Sequence, residues 1–139
     1  MKYLSTLLFA LATLVSCSKD SKKEDPEPKY HITVHVTGQN LAGLNTSARI
    51  TSTYDFAGVN NQTGPGPGYT EAYSTATVDK TYDLGEFGAY DLVEVQLTYP
   101  ATRPTGTVLK ADILVDGVVK KSCGTATSNN YAAIETDNL

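Results

Sequence analysis

Residues 107–123 read TVLKADILVDGVVKKSC. Leu109, Ala111, Ile113 and Val115 fall on one side of an extended chain, with Lys110 and Asp112 on the other. Successive side chains of a strand point to opposite faces, so this spacing predicts a strand with one face in a core. Asp116-Gly117 comes next, and Asp-Gly between two apolar runs signals a hairpin. Residues 118–123 are then the returning strand, in one of two registers. A two-residue turn sets Lys120 opposite Ile113; a type I turn with a bulge at Gly117 sets Val119 there. A one-residue slip turns every side chain over. The second register buries valine in place of lysine and is the one expected, with Lys121 left to run its stem along the surface.

The same texture recurs along the chain. Ile32, Val34 and Val36 alternate with His31, Thr33, His35 and Thr37, and Gly38 ends the run. Over 46–54, Ala48, Ile50, Ser52 and Tyr54 oppose Ser47, Arg49, Thr51 and Thr53. Over 91–99, Val93, Val95, Leu97 and Tyr99 oppose Glu94, Gln96 and Thr98, which predicts a buried Tyr99. Residues 70–82 are read as two short strands interrupted at Asp79-Lys80, and residues 131–134 as a last one. Beyond the N-terminal segment no window keeps a 3.6-residue period. The expected fold is all-β: an immunoglobulin-like β-sandwich of about seven or eight short antiparallel strands over residues 30–139. A domain of that size can bury a core without disulfides.

Composition removes several classes of function. With 40% hydrophobic and 19% charged residues, the chain is too apolar to be disordered overall. Its net charge of -4 argues against an electrostatic nucleic-acid binder. Two cysteines cannot build a disulfide-dense scaffold or a four-thiolate zinc site. There is no G-x-S-x-G elbow, no H-E-x-x-H and no P-loop. No catalytic activity, cofactor or metal is therefore expected.

The first residues, MKYLSTLLFALATLVSC, place Lys2 before a 12-residue stretch, 4–15, that is apolar except for Ser5, Thr6 and Thr13. A bilayer needs about 20 such residues, so 1–16 is read as a secretory signal rather than a span. Leu14-Val15-Ser16-Cys17 resembles a bacterial lipobox. The resemblance implies cleavage before Cys17, a diacylglyceryl group on its thiol and acylation of the new amine. One chain binds a membrane reversibly and two or more hold it, so a Cys17 modified in this way would be a stable anchor. Residues 17–29 continue CSKDSKKEDPEPK, with charge, Ser and Pro and nothing to bury, which predicts a solvated tether. Its 13 residues reach roughly 40 Å at full extension. Ser18 after the lipid-bearing cysteine resembles the enterobacterial sorting rule for export to the outer membrane. Lys23-Glu24-Asp25 resembles, at a greater distance from the cysteine, the surface-export signal of Bacteroidetes lipoproteins. The domain is thus expected at the outer membrane, facing the periplasm or the cell surface.

Other candidate sites lie along the strands and their connections. His31 and His35 share a strand face about 13 Å apart, too far to hold one metal ion together. Asp79, Asp83, Glu86, Asp91 and Glu94 do not follow a Ca²⁺-loop spacing and are read as a solvated acidic edge. Cys123 is the one thiol outside the lipobox and is read as a small core residue, with an intermolecular disulfide as the alternative. Residues 58–68, GVNNQTGPGPG, must be irregular, and Tyr69 and Tyr73 follow them. Exposed, these two tyrosines and the loop would form a stacking platform for a sugar ring.

The strand beginning Val34-His35-Val36-Thr37-Gly38, the LKADILVDGVV hairpin and the closing Gly124 and Tyr131-Ala132 resemble the soluble domain of mycobacterial small membrane proteins of the MmpS type. The resemblance implies a sandwich held outside a membrane that assists an envelope transporter. This chain departs from the family by having a lipobox in place of a membrane helix and by lacking a cysteine pair. The expected function is that of a lipid-anchored, non-catalytic envelope protein that binds or assists another envelope component. The alternative is a surface glycan- or ligand-binding module on Tyr69 and Tyr73.

Overall fold

The computed structural model describes residues 27–52 and 69–139. The expected signal segment, Cys17, most of the tether and the loop 58–68 lie outside them. Eight strands form in chain order: β1 (Tyr30–Gln39), β2 (Thr46–Ser52), β3 (Tyr69–Tyr73), β4 (Thr77–Phe87), β5 (Leu92–Thr98), β6 (Val108–Val115), β7 (Val118–Gly124) and β8 (Tyr131–Glu135). A 3₁₀ turn, Thr136–Asn138, follows β8. The strands make two four-stranded antiparallel sheets, β4-β1-β6-β7 and β3-β2-β5-β8. The all-β sandwich expected from the alternation is present. The strand order does not establish immunoglobulin topology, whose constant type pairs its first two strands in one sheet. Here β1 and β2 lie in opposite sheets, and each run of four strands is a hairpin folded over itself. β2-β3 and β6-β7 are the inner pairs, and β1-β4 and β5-β8 the outer ones.

The core is the pair of inward faces. Ile32, Val34 and Val36 of β1, Ala48 and Ile50 of β2, Val93, Val95 and Leu97 of β5, and Leu109, Ala111 and Ile113 of β6 are each no more than 1% exposed. Leu41 completes it from the β1–β2 connection, fully buried, with its N–H donated to the Ala76 carbonyl at 3.0 Å. Its side chain lies over Gly38, where a Cβ would sit 2.7 Å from Leu41 Cδ1, so glycine lets that connection fold back. Tyr99 lies just past β5 and is half-buried rather than buried, with the Arg103 guanidinium 5.2 Å from its ring centre.

Two expectations are corrected. Asp79-Lys80 does not interrupt a strand: the break falls at residues 74–76, and β4 runs through both to Phe87. Asp79 points out and pairs with His35, while Lys80 points toward β3 and pairs with Glu71, so both charges are satisfied within the strand. At the β6–β7 hairpin neither expected register holds. Asp116 and Gly117 both take positive φ, 50° and 79°, giving a tight two-residue turn with Val115 opposite Val118. An irregularity follows, so that Lys121 rather than Lys120 or Val119 faces Ile113. Asp112 explains the shift. It is 7% exposed on the outer face and accepts hydrogen bonds from Lys110 Nζ at 2.7 Å and from Ser122 Oγ. Only the extra residue brings Ser122 beside this carboxylate and Cys123 inward against Ala111.

Removing three carbons from the filled centre is far costlier than trimming the exposed hairpin. Leu97→Ala is expected to lose about 2–5 kcal/mol and Val119→Ala to stay within about 0.5 kcal/mol. Urea unfolding of the two variants checks this.

Candidate functional site

A two-sheet sandwich has two long openings, one along each pair of edge strands. Here the β3/β4 side is bridged by a polar network and the β7/β8 side carries a groove. On the closed side, β3 and β4 bring five side chains together. Tyr69, Glu71 and Tyr73 share the inward face of β3, opposite Ile50, Ala48 and Thr46. The Glu71 carboxylate accepts hydrogen bonds from Tyr69 Oη and Tyr82 Oη, both at 2.8 Å, and from Lys80 Nζ at 2.7 Å. Tyr73 and Tyr82 share a further hydroxyl–hydroxyl bond of 2.8 Å. The Tyr69 and Tyr82 rings meet at 5.8 Å, and the Lys80 ammonium lies 5.1 Å from the Tyr82 ring centre.

This closure decides where the two tyrosines expected at a ligand platform stand. Tyr73 is 6% exposed, a core residue, and Tyr69 is half-buried with its hydroxyl engaged by Glu71. They do not form an exposed pair, because residues four apart on β3 share its inward face.

The network shifts its members' acidities. Burial raises the Glu71 carboxyl, the hydrogen bonds from Lys80, Tyr69 and Tyr82 lower it, and the balance lies below the ordinary value of 4.5. Burial first, and the neighbouring Glu71 charge after it, push Tyr73 up to about 12. Burial and hydrogen bonding to Tyr73 and Glu71 hold Tyr82 well above the ordinary phenol range.

The remaining candidates are dispersed. His31 Nε2 lies 3.1 Å from Asp83 and His35 Nε2 2.7 Å from Asp79, each as a separate pair on the outer face of the first sheet. Glu86 lies 3.6 Å from Lys29, and Glu94 accepts from Thr51 and Tyr131 on the outer face of the other sheet. Asp91 is 4% exposed and accepts the Gly88 N–H at 2.8 Å, so it belongs to a loop clamp and not to a solvated acidic edge. Among the described residues no three His, Cys, Asp or Glu side chains converge on one point. Cys123 is 1% exposed, and burial pushes its thiol up to about 11.

The open side lies between β7 and β8. Its groove has a volume of about 440 Å³ and is lined by Lys120, Lys121, Ala133, Ile134, Glu135 and Leu139, with Asn138 at its end. β7 and β8 are the last strands of their sheets, so each turns one side of its backbone away from the ladder. Val118 and Val119 stand 58% and 50% exposed at the start of β7. The lining mixes Ala133, Ile134 and Leu139 with Lys120, Lys121 and Glu135, and an edge of this kind suits an added strand. Sequence reading missed this groove because only the bulge turns Lys121 toward it. The signal was Val118-Val119-Lys120-Lys121, a strand with no apolar alternation.

No protein-family model matches the chain, and no curated protein and no solved structure matches it.

Because Glu71 has a lowered folded-state pKa, the stability its charge adds is complete above 4.5 and fades as pH falls through the lowered value. Glu71→Gln is expected to cost about 1 kcal/mol at neutral pH, and the gap from wild type to close as the solution is acidified below about pH 4.5. Urea midpoints across that range test the sign. For Cys123, an aromatic disulfide reagent is expected to leave the native thiol unmodified and to titrate it at once in urea; fast native reaction would contradict its burial.

Proposed function

We propose that this chain is a lipid-anchored protein of the bacterial outer membrane whose β-sandwich binds or assists another envelope component, such as a transport complex, without catalysing a reaction. The observation that carries the reading is the inequality of the sandwich edges. Glu71, Lys80 and three tyrosines seal the β3/β4 side, while the β7/β8 side keeps an apolar-floored groove beside a free strand edge. A groove beside an edge strand is a place where an extended segment can dock.

Anchorage is supported by the Leu14-Val15-Ser16-Cys17 sequence after a signal-like apolar segment. The non-catalytic half is supported by the chemistry of the described residues. The thiol is buried and weakly acidic, and the two histidines sit in separate aspartate pairs on a flat outer face. The glycan-binding alternative loses support because Tyr73 offers no exposed ring.

Cys17→Ala is expected to move the protein from the membrane to the soluble fraction of cells. A photo-cross-linker at Lys121, in the groove, is expected to trap a discrete envelope protein. The same probe at Thr81, on the outer face of the other edge, is expected to trap none. Equal trapping at both positions, or a Cys17→Ala variant that stays on the membrane, would overturn the reading.

A further inference from the structure

Five large apolar side chains are strongly exposed among the described residues: Tyr90 at 82%, Val118 at 58%, Val119 at 50%, Tyr131 at 42% and Leu139 at 39%. Their positions are not random. β1 leaves the tether at Tyr30, and the antiparallel pairing sets Tyr30 opposite Phe87 and Ile32 opposite Val115. The start of β1, the end of β4 and the β6–β7 turn therefore lie at one end of the sandwich. Leu92 pairs with Glu135, and the short β4–β5 connection joins Phe87 to Leu92, so the 3₁₀ turn and the C-terminus lie at that end too. Tyr90, Val118, Val119 and Leu139 all belong to it. Tyr131, paired with Gln96, stands at the other end with its hydroxyl given to Glu94.

The elements presenting these four side chains are held firmly to the fold. The His31 N–H donates to Asp116 Oδ1 at 3.0 Å and the Asp116 N–H donates back to the His31 carbonyl at 2.8 Å, tying the hairpin tip to the strand that leaves the tether. Thr136, 1% exposed, accepts the Asp91 N–H at 2.7 Å and donates to the Gly88 carbonyl at 2.6 Å, fastening the C-terminal turn to the loop of Tyr90. Tyr90 itself takes a φ of 68°, a left-handed conformation disfavoured for a bulky residue, and in it the ring points into solvent.

We propose that this tether-bearing end is a bilayer-contacting face, on which Tyr90, Val118, Val119 and Leu139 rest in the headgroup region of the membrane that holds the anchor. The inference rests on the lipid-anchor reading of Cys17. The occupant follows from the length of chain that joins the two. Twelve residues separate the anchor from β1, an r.m.s. reach of about 20 Å, and the strands themselves span roughly 30 Å, so the end joined to the tether is the one held near lipid. Tethering makes contact intramolecular, so weak apolar contacts suffice. Tyrosine favours the membrane interface, valine and leucine favour its apolar side, and Lys120 and Lys121 lie where long stems can lift their charges to the headgroups. Charges near this end are mixed: Glu27, Lys29, Glu86, Asp116, Lys120, Lys121 and Glu135. The contact is thus apolar in origin and does not depend on anionic lipid or low salt. The β7/β8 groove then opens sideways, along the membrane surface.

The chain contains no Trp, so a single introduced indole reports one place. The full acylated protein carrying Val118→Trp, Leu139→Trp or Tyr131→Trp is reconstituted into phosphatidylethanolamine–phosphatidylglycerol vesicles with brominated acyl chains. Co-flotation with vesicles reads the anchor, and indole emission reads the face. The V118W and L139W indoles are expected to shift to the blue and be quenched by bromine at low and high salt alike. The Y131W indole is expected to emit as it does without bromine. Adding Tyr90→Asp and Val119→Asp to V118W is expected to abolish the quenching while flotation persists. Flotation without quenching at 118 and 139, or equal quenching at 131, overturns the bilayer face and leaves the anchor standing. A blue shift without quenching overturns it in favour of a second protein copy on that end. Failure to float removes the anchor reading and this inference with it.

Discussion

Ile32, Val34 and Val36 of β1 are sealed from water, and the rest of the sandwich depends on what that requires. Their strand can be buried only if both its backbone edges are paired, since an unpaired buried N–H or carbonyl costs as much as a lost hydrogen bond. β4 supplies one edge and β6 the other, from positions roughly forty and eighty residues along the chain. β2 is treated in the same way by β3 and β5. The four central strands thus fix which strands become edges, and all later questions concern those edges.

The two long openings are resolved in opposite ways. At β3/β4 a carboxylate is brought toward the interior and made tolerable by two phenols and an ammonium, so a polar network closes the layer. Nothing comparable is built across β7/β8, where Lys121 meets Ile113 on the inward face and a groove remains. One hairpin links this groove to the tether-bearing end: Val118 and Val119 begin at the end and Lys120 and Lys121 continue into the groove. A partner seated in the groove would lie beside the proposed membrane contact.

Strong alternation was legible. β1, β2, β5 and β6 were readable from Ile32-Val34-Val36, Ala48-Ile50, Val93-Val95-Leu97 and Leu109-Ala111-Ile113, and the structure buries each set. The failures share a cause. Asp79-Lys80 looked like a break because two adjacent charges seem unfit for a strand, yet each has a partner on another strand. Tyr73 follows a glycine-rich stretch and was open to a surface or a structural role, and the pairing of β3 with β2 turns it inward. The hairpin register follows Asp112 and not the burial of valine or lysine, since its partners Lys110 and Ser122 come from the strand and its neighbour.

By itself the sequence determined the periods: strands and not helices, a core of alternate aliphatics, a turn at Asp116-Gly117, and a lipobox-like segment followed by a polar stretch. These are local properties, set by side-chain spacing and backbone preference over a few residues. Tertiary structure alone decided the sheet order, the extra residue before Lys121, the closing of one edge around Glu71, and the gathering of Tyr90, Val118, Val119 and Leu139 at one end. Each depends on groups tens of residues apart in the chain meeting across a sheet or at a shared end. No local pattern encodes such a meeting, because burial and hydrogen-bond satisfaction are properties of the assembled layers.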